Sequence, residues 1–349
     1  MTARTMPRIK RKRSMYVIGG LLALAAAALA GYAWQARTPP PPAAGALEQV
    51  TIAANVDYVG VCPVLAARSK GYFVEQGIVV RIQPHNSGKS SLEAMLQGKA
   101  DLGTVADIPI ALAALKGLPV VVVATVFRTE KDHGLVGRRD RGIESAASLK
   151  GKRVGVTIGT SGHFVLDAML NRQGLAPADV VRLDLKPEQF SAALTSGDVD
   201  AIATWEPYLD SLRAQLGSNG VSVYSEDVYE IPYNLASTRD YVARHPGTLK
   251  KVLRALVEGA RFCASAPDAA RALMVADRKT VDTSRWKVLW PAYRFHVALD
   301  QGLLLALEDE TRWAIANKLT DQSAMPNYLD HVYLDALEAV APAAVTVIH

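Results

Sequence analysis

Acidic residues are missing from the start of this 349-residue chain: none precedes Glu48. Six basic residues, Arg4, Arg8, Lys10, Arg11, Lys12 and Arg13, stand unopposed at its beginning, before Ser14. They distort the formal net charge of +5. Without them 33 basic face 34 acidic residues, a net of −1. A chain so balanced has no electrostatic ground for binding nucleic acid. Charge of either sign is then missing from Ser14 to Ala36. Cysteine is scarce, with only Cys62 and Cys263. An oxidising compartment permits a bridge between them, but two cysteines so far apart are weak support for one. Two buried apolar thiols are the favoured expectation, with Cys62 lining a site as a further alternative. The chain also lacks a Gly-x-Ser-x-Gly elbow, a Gly-rich phosphate loop ending in Lys, and any His-x-x-x-His pair among its seven histidines. Nucleophilic, nucleotide and zinc chemistry therefore lose their usual signatures. The expectation is a protein that is not an enzyme and needs no cofactor or metal.

The charge-free run has a basic flank and an Ala/Leu-rich centre, Val17 to Ala30. That is the shape of a secretory signal peptide, and Ala28-Leu29-Ala30 offers a small-x-small cleavage site. The full run also meets the roughly 20 residues that span a bilayer. Residues 1–36 are thus read as a signal peptide or a membrane anchor, with the body outside the cytoplasm in either case. No cysteine follows the centre to carry a lipid. Residues 37–47 contain the run Thr38 to Pro42, an extended and semi-rigid linker. Hydrophobic content of 50% and charged content of 21% exclude a disordered body and leave length for two α/β domains.

From Val50 the chain alternates short β-branched strands with helical segments as far as Thr125, then repeats that order from Gly134 to Ala203. Such alternation predicts α/β architecture. After Asn234 the pattern changes to helices: Leu249, Val252, Leu253, Leu256, Val257 and Ala260 form one apolar stripe. These helices are expected to return to the first domain. The chain would then cross twice, near Glu130 to His133 and near Ile231 to Asn234, which allows hinge closure.

Two strand-to-helix turns stand out. Thr157-Ile158-Gly159-Thr160-Ser161-Gly162-His163 ends one strand, and Asn86-Ser87-Gly88-Lys89-Ser90 ends an earlier one. Helix N-termini of this kind hold anions with backbone N–H groups. Thr160, Ser161 and His163 are the leading candidates for ligand contact; simple helix capping is the alternative. Ser87, Gly88 and Ser90 are the matching turn, with Lys89 expected to face solvent. Asp57 and Tyr58 follow the first strand, where open α/β sheets place ligands. Asp107 lies at another strand end, as ligand acceptor or helix cap. Trp205 and Glu206 offer an aromatic wall and a carboxylate suited to an amine-bearing guest. Tyr233 and Asn234 are read as hinge structure, with ligand contact as the alternative.

Several stretches together carry a family resemblance. They are Gly71-Tyr72-Phe73 with Glu75-Gln76-Gly77-Ile78, Gly98-Lys99-Ala100-Asp101-Leu102-Gly103, Leu149-Lys150-Gly151-Lys152-Arg153-Val154-Gly155-Val156, and Gly197-Asp198-Val199-Asp200-Ala201 with Trp205-Glu206-Pro207-Tyr208. From about Val50 onward the chain resembles the nitrate/sulfonate/taurine group of ABC-transporter substrate-binding proteins, which also includes thiamine-precursor binders. The resemblance implies a two-lobed type II periplasmic-binding-protein fold, each lobe a mixed sheet flanked by helices. It divides the body into residues 48–130 and 233–349 for the first lobe and 131–232 for the second. It implies a monomer that captures a small anionic or zwitterionic solute and passes it to an ABC permease and its ATPase. Taurine, aliphatic sulfonate and nitrate are the expected ligand class. A thiamine pyrimidine precursor, or sensing for a membrane receptor, are the alternatives.

Overall fold

The computed structural model describes residues 47–226, 228–276 and 284–349. The basic run, the charge-free segment and most of the Pro-rich linker lie outside the described residues. Among the described residues no helix is long and apolar enough to cross a membrane. The body, Glu48–His349, contains two sheets.

The larger sheet has the order β12-β11-β4-β10-β3-β1-β2. Its strands are β1 (Glu48–Asn55), β2 (Ile78–His85), β3 (Leu102–Ala106), β4 (Val120–Thr129), β10 (Ile231–Thr238), β11 (Arg294–Asp300) and β12 (Val345–Thr346). The smaller sheet, β7-β6-β8-β5-β9, comprises β5 (His133–Arg138), β6 (Arg153–Val156), β7 (Val181–Asp184), β8 (Ala201–Trp205) and β9 (Gly220–Tyr224). Both sheets are mixed: β1 and β2 are parallel, β10 is antiparallel to β3 and β4, and β5 is antiparallel to β8 and β9. The helices used below are α1 (Cys62–Ser69), α2 (Gly88–Leu96), α3 (Asp107–Leu115), α4 (Ser161–Arg172), α5 (Tyr208–Leu216), α6 (Pro246–Ser265), α7 (Ser284–Leu289) and α8 (Gln301–Ala316).

The chain leaves the larger sheet at Thr129, enters the smaller at His133, and returns between Tyr224 and Ile231. Every residue of β4 is buried, as a near-continuous β-branched run requires at the centre of a covered sheet. The expectation of helices alone after Asn234 is corrected here. β10 runs through that residue to Thr238, and β11 is a further strand. Pro232 obscures β10 because proline cannot donate to a ladder. β11 alternates buried and more open positions, but it is short and lies among helical stripes.

Helix α6 buries Leu249, Val252, Leu253, Leu256 and Ala260. Full burial of each large aliphatic side chain stabilises by about 1.5–3 kcal/mol. The helix lies so close to α1 that a Cβ on Gly259 would fall 2.2 Å from the Pro63 carbonyl oxygen. That approach also decides the cysteines. Cys62 on α1 and Cys263 on α6 are joined in a disulfide with a Cα–Cα distance of 6.2 Å. The expectation of two separate buried thiols is corrected. Sequence separation says nothing of distance once two helices pack side by side.

Candidate functional site

A small cavity of about 20 Å³ lies between the two sheets. From the larger sheet's side it is lined by Asn55, Tyr58, Gly88, Lys89, Pro109 and Tyr233, and from the smaller sheet's side by His133, Thr160, Ser161 and Trp205. Asn55 and Trp205 end their strands, and Tyr58, Gly88, Lys89, Pro109, Thr160 and Ser161 lie in the segments or first helical turns that follow strands, where open α/β sheets bind guests. Gly88 belongs here for a steric reason: a Cβ on it would lie 3.0 Å from the Val105 Cα.

The floor of the cavity is the start of α4. Thr160 holds the N-cap position but does not cap, because its hydroxyl donates to the Thr157 carbonyl at 2.7 Å. The first turn therefore keeps its N–H groups without a side-chain acceptor, at the positive end of the helix dipole. Ser161 opens the helix, 5% exposed, with its Oγ 2.8 Å from His133 Nε2. The other ring nitrogen, Nδ1, lies 2.6 Å from Asp132 Oδ1. Asp132 and His133 are buried.

Tyr58 forms one wall. It is 3% exposed and packs edge-on against Phe127, His133 and Tyr233. Its hydroxyl interacts with the Asp132 side chain. Burial, and then the Asp132 carboxylate, push the Tyr58 phenol well above its usual range, so it is a neutral O–H. Tyr233 is held by Thr104, whose Oγ1 lies 3.0 Å from the phenol oxygen. Trp205 closes the far side, 5% exposed, with its ring 6.1 Å from that of His133. Lys89 crosses between the lobes, donating to the Ile158 carbonyl at 3.0 Å.

Of the residues singled out from the sequence, Tyr58, Gly88, Thr160, Ser161 and Trp205 line this cavity. Asp57, Ser87 and Ser90 line a wider opening of about 580 Å³ beside it, with His85, Asn86, Glu93, Asp184, Lys186 and Glu188. There Ser87 caps α2, accepting from the Ser90 N–H at 3.2 Å.

Three candidates are turned elsewhere. Asp107 is buried beside Tyr229, whose hydroxyl meets Asp107 Oδ2 and Glu310 Oε1. Burial raises both carboxyls, and the Asp107 charge raises Glu310 further. His163 points to Arg182, with Nε2 2.8 Å from the guanidinium. Burial and then Arg182 lower its pKa to about 4, so the ring is neutral. Glu206 accepts from the Tyr224 hydroxyl at 2.5 Å and the Asp210 N–H at 3.2 Å. Burial pushes its pKa up to about 7. The carboxylate expected to read a ligand amine does not reach the cavity. A strand residue's neighbours point to opposite faces, so Trp205 facing inward sends Glu206 away.

The sequence reading passed over Asn55 and His133 as cavity residues, favoured a hinge role for Tyr233 over ligand contact, and placed Lys89 in solvent. His133 had a usable signal: it opens the first strand after the crossover, next to an acid. Among the described residues no cluster of His, Cys, Asp and Glu could hold a metal ion.

Comparison with known proteins adds the family. A putative aliphatic sulfonates-binding protein of Bacillus subtilis is 28% identical over 197 residues, 55% of this chain and 59% of that one. The taurine-binding periplasmic protein of Escherichia coli is 25% identical over 216 residues, 59% of this chain and 64% of that one. The chain thus matches less than two thirds of the length of these relatives. The 4-amino-5-hydroxymethyl-2-methylpyrimidine phosphate synthase THI13 of Saccharomyces cerevisiae, an enzyme, is 32% identical over 142 residues, 40% of each chain. In three dimensions the chain resembles the alkanesulfonate-binding protein SsuA of Xanthomonas axonopodis, solved bound to MOPS. The TM-score is 0.72 and the identity 21%, covering 83% of this chain and 99% of that one. The fold is therefore that of the two-lobed periplasmic binding proteins. The NMT1/THI5-like pattern matches residues 59–270, well over half the chain, and the chain belongs to that family.

Proposed function

We propose that this protein is an extracytoplasmic solute-binding component of an ABC importer for small sulfonates, the taurine and alkanesulfonate class. It closes two lobes over its guest and makes or breaks no bond. The observation that carries the reading is the composition of the cavity. Tyr58, Ser161 and Lys89 line it from both lobes, together with the start of α4, whose first turn has no side-chain cap. That set suits a compact anion such as a sulfonate.

The cavity has room for about one water molecule. A sulfonate enters only when the lobes part, which the two crossings permit. Asp57, Glu93, Asp184 and Glu188 stand with Lys89 and Lys186 around the neighbouring opening. Those acids favour an amine at the outer end of the guest, with the sulfonate inward. The residues that support this orientation differ from Glu206, which the sequence suggested. Names of relatives support the same ligand class: one is called a taurine-binding and another an aliphatic sulfonates-binding protein. Export by residues 1–36 and delivery to a permease and its ATPase complete the proposal.

Calorimetry against taurine, ethanesulfonate, nitrate and an aminopyrimidine tests the ligand class. Saturable binding of the two sulfonates is expected. Binding of the aminopyrimidine alone would replace the reading with that of a thiamine-precursor binder.

A further inference from the structure

The chain Asp132–His133–Ser161 fixes where its protons lie. A carboxylate only accepts hydrogen bonds. Asp132 Oδ1 at 2.6 Å therefore requires a hydrogen on His133 Nδ1. In the neutral ring Nε2 then has no hydrogen, and it accepts the Ser161 hydroxyl proton across 2.8 Å. Ser161 in that state turns only lone pairs towards the cavity. An anion placed against that hydroxyl meets oxygen lone pairs and no O–H donor, and only the backbone N–H groups remain to bind it. Protonation of Nε2 reverses the bond: the ring donates to Ser161 Oγ, and the hydroxyl hydrogen is released to the guest.

We infer that an anionic head group seated against Ser161 is captured together with one proton, held on His133 Nε2. This rests on the reading that the cleft takes a sulfonate. The proton goes from solvent to the imidazole, and no covalent bond to the guest forms.

The surroundings agree with a proton arriving with the anion. Asp132, 0% exposed, already places a carboxylate beside the ring, with Oδ1 2.6 Å from Nδ1. A second anion in the same buried space needs a countercharge. From α2 Lys89 lines the cavity, but its ammonium is engaged with the Ile158 carbonyl. From the larger sheet's side Tyr58 packs edge-on against the ring and Tyr233 packs against Tyr58, while Tyr293 lies near Asp132; burial keeps all three phenols protonated. Glu206 follows β8, its N–H donating to the Asp132 carbonyl at 2.8 Å and its carboxyl turned to Tyr224. His133 is thus the group able to supply a new positive charge next to Ser161.

The same geometry reports orientation. A guest that presents an ammonium or amide N–H to Ser161 uses the lone pairs as they stand and takes up no proton. The number of protons taken up therefore tells which end of a zwitterion lies inward.

The test is calorimetry of the full chain with ethanesulfonate and taurine, in two buffers of different ionisation enthalpy, between about pH 6 and 9. The expected result is one proton taken up per guest on the alkaline side, with Kd rising by about tenfold per pH unit there. His133→Gln is expected to lose both the uptake and the pH dependence, and to bind at all pH values as weakly as the wild type does at high pH. The wild-type measurement needs no variant, so it decides even if the substitution impairs folding. Sulfonate binding with no proton uptake and a flat Kd overturns the inference alone. If neither sulfonate binds, the ligand reading above falls first, and the inference falls with it.

Discussion

The indole N–H of Trp313 donates to Asp167 Oδ2 at 3.0 Å, tying α8 of the larger lobe to α4 of the smaller. The ring of Trp313 also packs against His163 and Phe164. Other contacts join the lobes at the cleft: Lys89 to the Ile158 carbonyl, the Tyr208 hydroxyl to the Asn86 carbonyl at 3.1 Å, and the Asn86 amide to Glu188. Closure is therefore held by side chains outside the cavity as well as by any guest within it.

Trp313→Phe keeps the ring packing and deletes the hydrogen bond to a carboxylate, a loss of roughly 1–2 kcal/mol. Because that bond joins the two lobes, the variant should open more readily and bind sulfonate about tenfold more weakly. Small-angle scattering of the unliganded protein should show a larger radius of gyration than the wild type. An unchanged radius and unchanged affinity would remove Trp313 from the closure.

Ser161→Ala should weaken sulfonate binding by about tenfold, the cost of one hydrogen bond to a charged group. Glu206→Gln should leave the ratio of taurine to ethanesulfonate affinity unchanged, since Glu206 bonds to Tyr224 and not to the cavity. Calorimetry on both variants checks the pair. A selective loss of taurine affinity in Glu206→Gln would restore that carboxylate to the site.

Glu206 also sets a pH dependence of stability. Burial raises its pKa from 4.5 to about 7 in the folded state. The folded protein thus keeps a proton that the unfolded chain has already lost. This contribution is complete below pH 4.5 and is lost as pH rises through about 7. Glu206→Gln has no such proton. Relative to the wild type, it should gain roughly 1–3 kcal/mol on going from acid to about pH 8. Denaturant melts at the two pH values measure the difference, and a constant gap between the proteins would contradict the assignment.

The bridge between Cys62 and Cys263 closes a loop across 201 residues. Reduction, or the double change Cys62→Ala with Cys263→Ala, should cost about 2–5 kcal/mol and lower Tm. Trp290, which donates to the Cys263 carbonyl, reports the change by fluorescence. A Tm insensitive to reductant in the wild type would argue that the thiols are not joined.

Much of the architecture was legible along the chain because it rests on local rules. The run from Val120 to Thr125 is too β-branched for a helix to favour, and the stripe from Leu249 to Ala260 has helical period. Both lie where the period placed them. The turn at Thr160 and Ser161 was legible for a similar reason: small hydroxyl residues after a strand and before a helix mark an N-terminus. β10 and β11 were not, since Pro232 argues against a central strand and only pairing with β3 and β4 overrides it.

What the sequence determined by itself was the α/β alternation, the two helix starts and the family signature, all properties of neighbours within a turn or two. Tertiary structure alone decided which side chains meet. Asp107, His163 and Glu206 carry suitable chemistry but turn to partners beyond their own turns, Tyr229, Arg182 and Tyr224. His133 carries no motif, yet the crossover sets it against Ser161. Side-chain direction depends on sheet face and on packing between lobes, and neither is written in the local order of residues.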